Sequence, residues 1–270
     1  MKTTPVNQAA FMGKNTKTGP GLFNLLMGTV LRHGLLIGAS FMMLYPLLWM
    51  AASSFKPESI IFTDLSIIPP AFDFANYTLG WNALQQSFTV FFKNSIFVAI
   101  LVVIGNVVSC SITAYAFARL EFRGRRVWFV VMLGTLMLPY HVTLIPQYVL
   151  FLNLGWIDTF LPLIVPKFLA ADAFFIFLMV QFFRGIPREL DEAAVLDGCS
   201  PWRIYWKIMM PLSLPVLTTT AIFSFIWTWN DFLGPLVYLN DASNYTVPLA
   251  LRSFMDSTGQ SAFGQLFAMS

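Results

Sequence analysis

Long apolar runs alternate along the chain with short clusters of charge, and the gaps between charges mark candidate membrane spans. The runs between Arg32 and Lys56, Lys93 and Arg119, Arg126 and Asp158, and Lys207 and Asp231 contain no Asp, Glu, Lys or Arg. A helix needs roughly 20 apolar residues to cross a hydrocarbon core, so each run predicts one span. A further span over 160–183 carries Lys167 and Asp172 and is weaker by composition. The pattern predicts an all-α, polytopic transmembrane helical bundle with five visible spans. Alternating strands of about ten residues, which a membrane barrel requires, are not evident.

The breaks within and between runs are also readable. Pro139 and Pro146 fall inside the third run, where each removes a backbone donor and should kink or break the helix. Pro162 and Pro166 open the fourth span. Between the first two spans lies a segment rich in Pro, Asp and aromatics that reads as a partly helical loop, and the stretch after the fifth span is polar again. The closing SAFGQLFAMS looks like the beginning of another apolar segment. The first run follows a polar tail and lacks the short apolar core and small-residue cleavage site of a signal peptide, so it reads as a retained helix. Residues 1–32 form the tail and 33–270 one transmembrane domain, without an internal repeat or a soluble domain.

Composition sharpens this picture. The chain is 57% hydrophobic and 11% charged, against roughly 25% charged in a soluble domain. With the N-terminus inside, twelve of the sixteen Lys and Arg residues fall on the cytoplasmic side, and Lys56, Lys93, Lys167 and Arg252 fall outside or near the outer face. The net charge of +3 is therefore a topology signal and not a nucleic-acid footprint. Cys110, inside the second span, and Cys199, in an inner loop, are not placed to pair.

The segment 187–211 interrupts the apolar pattern with a charged, capped knot, ELDEAAVLDGCSPWRIYWKIMMP from Glu189 onward. Pro187 at a first-turn position, followed by Glu189, Asp191 and Glu192, suits a helix start, because proline lacks only a donor that is free there and acids complement the dipole. Gly198 supplies a C-terminal stop. The result is a helix of about ten residues, too short to span anything. Ser200 and Pro201 repeat the start signal and open a second, amphipathic helix. An elbow resting on the membrane surface would explain the bend. An anionic leaflet prefers Lys and Arg, however, so the acids beside Ala193 and Ala194 suit docking into a protein groove better.

Glu192-Ala193-Ala194, Gly198, Ile208 and Pro211 resemble the EAA motif, EAA-x3-G-x9-I-x-L-P, of permease subunits from binding-protein-dependent ABC importers, with Met210 where that pattern usually has Leu. SSFKP, AYAFARLEF, LMLPYHVTLIPQY and WTWNDFLGPL extend the likeness to the carbohydrate branch, the maltose-type second permease. The resemblance implies a type I importer fold with six spans, the sixth missing here, and a multi-pass protein of the bacterial inner membrane with its N-terminus in the cytoplasm. It also implies that 187–211 is a coupling helix in a cleft of an ATPase subunit: Glu192 would accept hydrogen bonds, Ala193 and Ala194 would permit close approach, Gly198 would make the bend, and Asp197, Ile208 and Pro211 belong to the same segment. The implied partners are a second permease, two ATPase subunits, a periplasmic solute-binding protein touching 53–88 and 240–260, a carbohydrate substrate and membrane lipid.

No catalytic motif competes with this reading. The only Gly-Lys pair, Gly13-Lys14, has Gln8 and Asn15 where a Walker A loop needs Gly and Ser or Thr. The chain is thus expected to be no enzyme and to hold no cofactor or metal, ATP and Mg²⁺ belonging to the partner ATPase. Polar groups inside membranes are costly and mark pathways, which selects Tyr140, His141, Gln147, Asp172, Trp229, Asn230 and Asp231 as the candidate substrate path. Helix packing accounts equally for Asp231 and the tryptophans. Lys167 lies about 25 Å from Arg184 at 1.5 Å per residue and is expected to snorkel to the outer surface. Glycerol-phosphate-type solutes are the alternative cargo. A proton-coupled transporter using Asp172, Asp231 and His141, or a scaffold without cargo, are the rival functions.

Overall fold

The computed structural model describes residues 22–70, 72–256 and 262–270. Residues 1–21 of the expected cytoplasmic tail lie outside the described residues. Helices make up the architecture, with no strand among the described residues. Three helical stretches are long and apolar enough to cross a membrane: Met27–Ser53 within α1 (Leu22–Ser53), α3 (Phe88–Arg119), and Leu161–Gly185, which joins α6 (Leu161–Phe168) to α7 (Ala173–Gly185). Two bent pairs pass the same test: α4 (Arg125–Thr135) with α5 (Tyr140–Asn153), at 100°, and Pro201–Leu212 with α11 (Leu214–Trp229), at 76°.

The central rod is α3, which packs against α6, α7 and α11. Its buried face is built largely of small residues, among them Ala99, Gly105, Ser109, Cys110, Ser111, Ala114 and Ala118. In lipid there is little hydrophobic drive between helices, and such residues let backbones approach closely enough for dispersion and hydrogen bonds to hold them. Around its lower half a continuous core of Phe175, Met179, Phe183, Tyr205, Met209 and Leu217 closes against Cys110, Ala114 and Ala118.

The weak fourth span is not one helix. It breaks over 169–172, with Ala170 at φ 54°, a left-handed conformation that L-residues rarely adopt. A break at membrane depth frees carbonyls that lipid cannot satisfy. Here α3 answers one of them: Ser109 Oγ donates to the Lys167 carbonyl at 2.7 Å, while the Asp172 carbonyl accepts from the Phe175 and Ile176 amides and has Cys110 Sγ as a longer contact at 3.8 Å. The third run also divides, with Pro139 preceding α5, whereas Pro146 sits inside α5 without splitting it.

A hydrogen-bonded cap covers one end of the bundle. The loop after α1 folds around Lys56, which is fully buried and donates to the carbonyls of Asp64 (2.7 Å) and Ser66 (2.8 Å). Helix α2 (Ala75–Asn82) follows, and Asn76 Nδ2 ties it back to the carbonyls of Ser54 and Lys56. The segment after the fifth span returns as α12 (Leu233–Tyr238) and α13 (Val247–Asp256). The closing apolar stretch forms α14 (Phe263–Met269), packed on α2, α13 and α1. Helix α1 otherwise stands apart, its apolar side chains turned outward.

Candidate functional site

A cavity of about 990 Å³ lies between α3, α5, α6, α7, α11 and α12. Of the candidate pathway residues, Tyr140, Gln147, Asp172, Asn230 and Asp231 line it. His141 and Trp229 do not: His141 is exposed beside the edge of Tyr140, and Trp229 stacks on Phe225 with its edge toward Phe92. The wall also holds Ser95, Asn106, Ser224, Thr228, Tyr238 and Thr246, with Trp227 stacked on Phe175 at 5.2 Å. The rule that selects Asp231, a polar group deep in an apolar run, also selects Asn106 and Ser224, and it is the signal by which they could have been found.

The side chains lock one another in place. Asn106 Nδ2 donates to Ser224 Oγ at 2.9 Å, which bonds α3 to α11 and leaves the buried Asn106 Oδ1 without a protein partner. Asp231 Oδ1 accepts from the Gly234 amide at 3.1 Å and so starts α12, while Asn230 Nδ2 donates back to the Ile226 carbonyl at 2.7 Å. Lys167 lines the cavity with about a third of its side chain exposed. Its Nζ lies 3.0 Å from both carboxylate oxygens of Asp172, across the break between α6 and α7. A continuous helix would carry Lys167 away from Asp172, and the left-handed Ala170 folds the two together. With hydroxyls, amides and carboxylates on an aromatic-walled void, this site can hold a polyhydroxyl solute but presents no nucleophile–base pair. Among the described residues no three His, Cys, Asp or Glu side chains converge as a metal site would need.

At the opposite end from the cap lies the 187–211 segment. The first helix, α8 (Glu189–Leu196), starts two residues later than Pro187 suggests and has eight residues. The Gly198 amide donates to the Val195 carbonyl and the Cys199 amide to the Ala194 carbonyl, both at 2.9 Å, with Gly198 at φ 76°. This is the Schellman arrangement, for which glycine is the low-cost residue. Ser200 Oγ accepts from the Arg203 amide and caps α9 (Pro201–Ile204), which continues through one π-helical turn, Tyr205–Met209, into α10 (Met210–Leu212). Glu192, Ala193, Asp197 and Gly198 are exposed, Ala194 is buried against the core, Ile208 is half-buried and Pro211 is exposed. Of the acids, Asp191 does not join the exposed face. It turns inward to Arg119, with Nη1 to Oδ2 at 3.2 Å.

A bundle of bent spans around a cavity of mixed apolar and polar lining, with a glycine-hinged helix pair at one end, defines a multi-pass membrane transport component. The chain belongs to the family of binding-protein-dependent transport system inner membrane components, whose model matches residues 110–270. It is 35% identical over 224 residues, 83% of this chain and 73% of the relative, to a probable ABC transporter permease protein, YurM, of Bacillus subtilis. It is 32% identical over 237 residues, 87% of this chain and 78% of the relative, to the diacetylchitobiose uptake system permease protein NgcG of Streptomyces coelicolor. Among solved structures, a bacterial ABC transporter involved in the import of the acidic polysaccharide alginate shares the fold, with a TM-score of 0.80 and 23% identity over 93% of this chain and 94% of that one. The chain is therefore a permease subunit of an ABC importer, a transport component and not an enzyme.

Proposed function

We propose that this chain forms one half of the translocation pathway for a carbohydrate, paired with a second permease, resting on ATPase subunits through α8, and receiving solute at its capped end from a binding protein. In this reading the N-terminus and the 187–211 segment face the cytoplasm, the orientation that the twelve-to-four distribution of Lys and Arg favours. The observation that carries it is the α8–Gly198–α9 elbow: Glu192 and Ala193 stand exposed in the middle of α8 while Ala194 anchors the helix below. A surface elbow that served only as a connection would have no need of an acid and a methyl group held outward on a buried anchor.

The cavity favours a neutral solute over a glycerol-phosphate-type one. Among its lining residues Lys167 is the one cation, and Asp172 already holds it, while Asp231 adds a second carboxylate. A phosphate would meet no free positive charge there. A carbohydrate would find hydroxyl, amide and carboxylate partners and the face of Trp227, and the Streptomyces relative is the permease of an uptake system for a carbohydrate, diacetylchitobiose.

The test is purification of the intact complex from native membranes in mild detergent, with mass identification of what stays bound. Wild type should retain an ATPase and a second permease. Glu192→Lys should reach the membrane at the same level and lose the ATPase. Wild-type protein that retains no ATPase, with uptake that survives ATP depletion, would sink this reading in favour of a proton-coupled transporter.

A further inference from the structure

Ser111, Tyr115 and Arg119 recur every fourth residue at the lower end of α3 and so lie on one face. Each reaches the 187–211 segment or its entry. Ser111 Oγ and Tyr205 OH are 2.7 Å apart, Tyr115 OH donates to the Pro201 carbonyl at 3.0 Å, and Arg119 makes three contacts of its own. Arg119 Nη2 donates to the carbonyls of Phe183 and Ile186, both at 2.7 Å, and Nη1 pairs with Asp191. Its side chain is 4% exposed. One guanidinium thus joins the C-terminal end of α7, the first turn of α8 and the end of α3. A cation among carbonyls at a helix C-terminus is favoured by the dipole. The planar fork spreads these bonds over two nitrogens, Nη2 for the carbonyls and Nη1 for the carboxylate, where a lysine ammonium would have to serve all three from one atom.

We infer that Arg119 is a positioning residue that passes movement of α8 to α3 and thereby to the cavity. The inference rests on the proposed docking of an ATPase at α8. Its geometric basis is that α3 is one unbroken helix from Phe88 to Arg119 whose upper half supplies Ser95, Val98, Val102 and Asn106 to the cavity wall. Asn106 is thirteen residues from Arg119, about 20 Å along a helix, so a displacement at one site is delivered rigidly to the other. The pair is also incompletely bonded: Arg119 Nε and Asp191 Oδ1 are buried without partners.

The experiment uses the intact complex from native membranes. Thr228→Cys is introduced on the cavity wall, and its labelling by a permeable maleimide is read on this chain by peptide mass, in the nucleotide-free state and in the ATP–vanadate-trapped state. With Arg119 present, labelling should differ between the two states. In Arg119→Met/Asp191→Leu, which removes both charges together and leaves neither buried alone, the complex should still hold its ATPase and hydrolyse ATP, and labelling should lose its nucleotide dependence. Arg119→Lys, which keeps the charge but not the fork, should retain part of the dependence. If the double variant keeps the wild-type ratio of labelling rates, Arg119 is not the transmitting residue. Should the double variant fail to reach the membrane, Arg119→Lys decides alone: an unchanged ratio overturns the inference and a reduced one supports it. A wild-type complex without ATPase overturns the docking reading itself, a separate outcome.

Discussion

Two glycines show how one missing methyl group serves different ends. At Gly105, in the middle of α3, an added Cβ would lie 2.8 Å from Phe168 Cδ2 and 3.1 Å from the Lys167 carbonyl carbon, against the broken part of the fourth span. At Gly198 an added Cβ meets nothing within 4 Å, and the constraint is φ alone. Gly105→Ala should therefore destabilise by overpacking, about 1–3 kcal/mol, and Gly198→Ala by about 1–2 kcal/mol of backbone strain. Thermal unfolding of the purified protein would show both losses. Retention of the ATPase separates them: Gly198→Ala should weaken it because the α8–α9 turn opens, and Gly105→Ala should leave it intact. Equal effects on retention would mean that α8 and the cavity wall are not independent local structures.

At the scale of elements, the fourth span shows what sequence pattern can and cannot carry. Apolar length gave the span its ends, and the prolines marked its outer part, but a helical rise assigned to the whole of 160–183 sent Lys167 to the surface and left Asp172 alone. The break depends on a left-handed alanine, Ala170, and on Ser109 of a different helix taking up the freed Lys167 carbonyl. Neither local propensity nor periodicity encodes such a tertiary compensation. The α8–Gly198–Ser200–Pro201 elbow was legible because stop and start signals are local, whereas the inward turn of Asp191 depends on Arg119, seventy-two residues away. The Lys167–Asp172 pair makes a prediction of its own. Lys167→Met or Asp172→Leu alone should leave a partner charge facing the cavity, and the double variant should cost less than the sum. The expected coupling is about 1 kcal/mol, since both groups are partly exposed and screened. A double-mutant cycle on thermal stability measures it, and strict additivity would show that the pair does not hold the break.

For the molecule as a whole, the cavity sits between two hydrogen-bonded ends, and the capped end depends on a carboxylate where the opposite end depends on a guanidinium. Asp158, at φ 61° between α5 and α6, accepts from the amides of Asn240 and Asp241, both at 2.9 Å, and from Asn244 Nδ2 at 3.3 Å, so it ties the α5–α6 joint to the segment after the fifth span. Those hydrogen bonds favour the charged form and hold its pKa below the usual carboxylate value. Asp241, bonded to the Ser243 amide at 2.8 Å, is lowered in the same way. A depressed folded-state pKa means that the latch contributes fully above the ordinary carboxyl value of about 4 and is lost as pH falls through the lower, folded value. Hydrogen exchange at the Asn240 and Asp241 amides, corrected for the intrinsic pH dependence of exchange, should therefore show constant protection from neutral pH down to about pH 4 and falling protection below it. Asp158→Asn keeps an acceptor oxygen but cannot titrate, so it should start with weaker protection and lose less of it in acid. If the two amides keep their protection in acid while wild-type Asp158 titrates, the joint is held by packing around Tyr238 and Phe151 and not by the carboxylate.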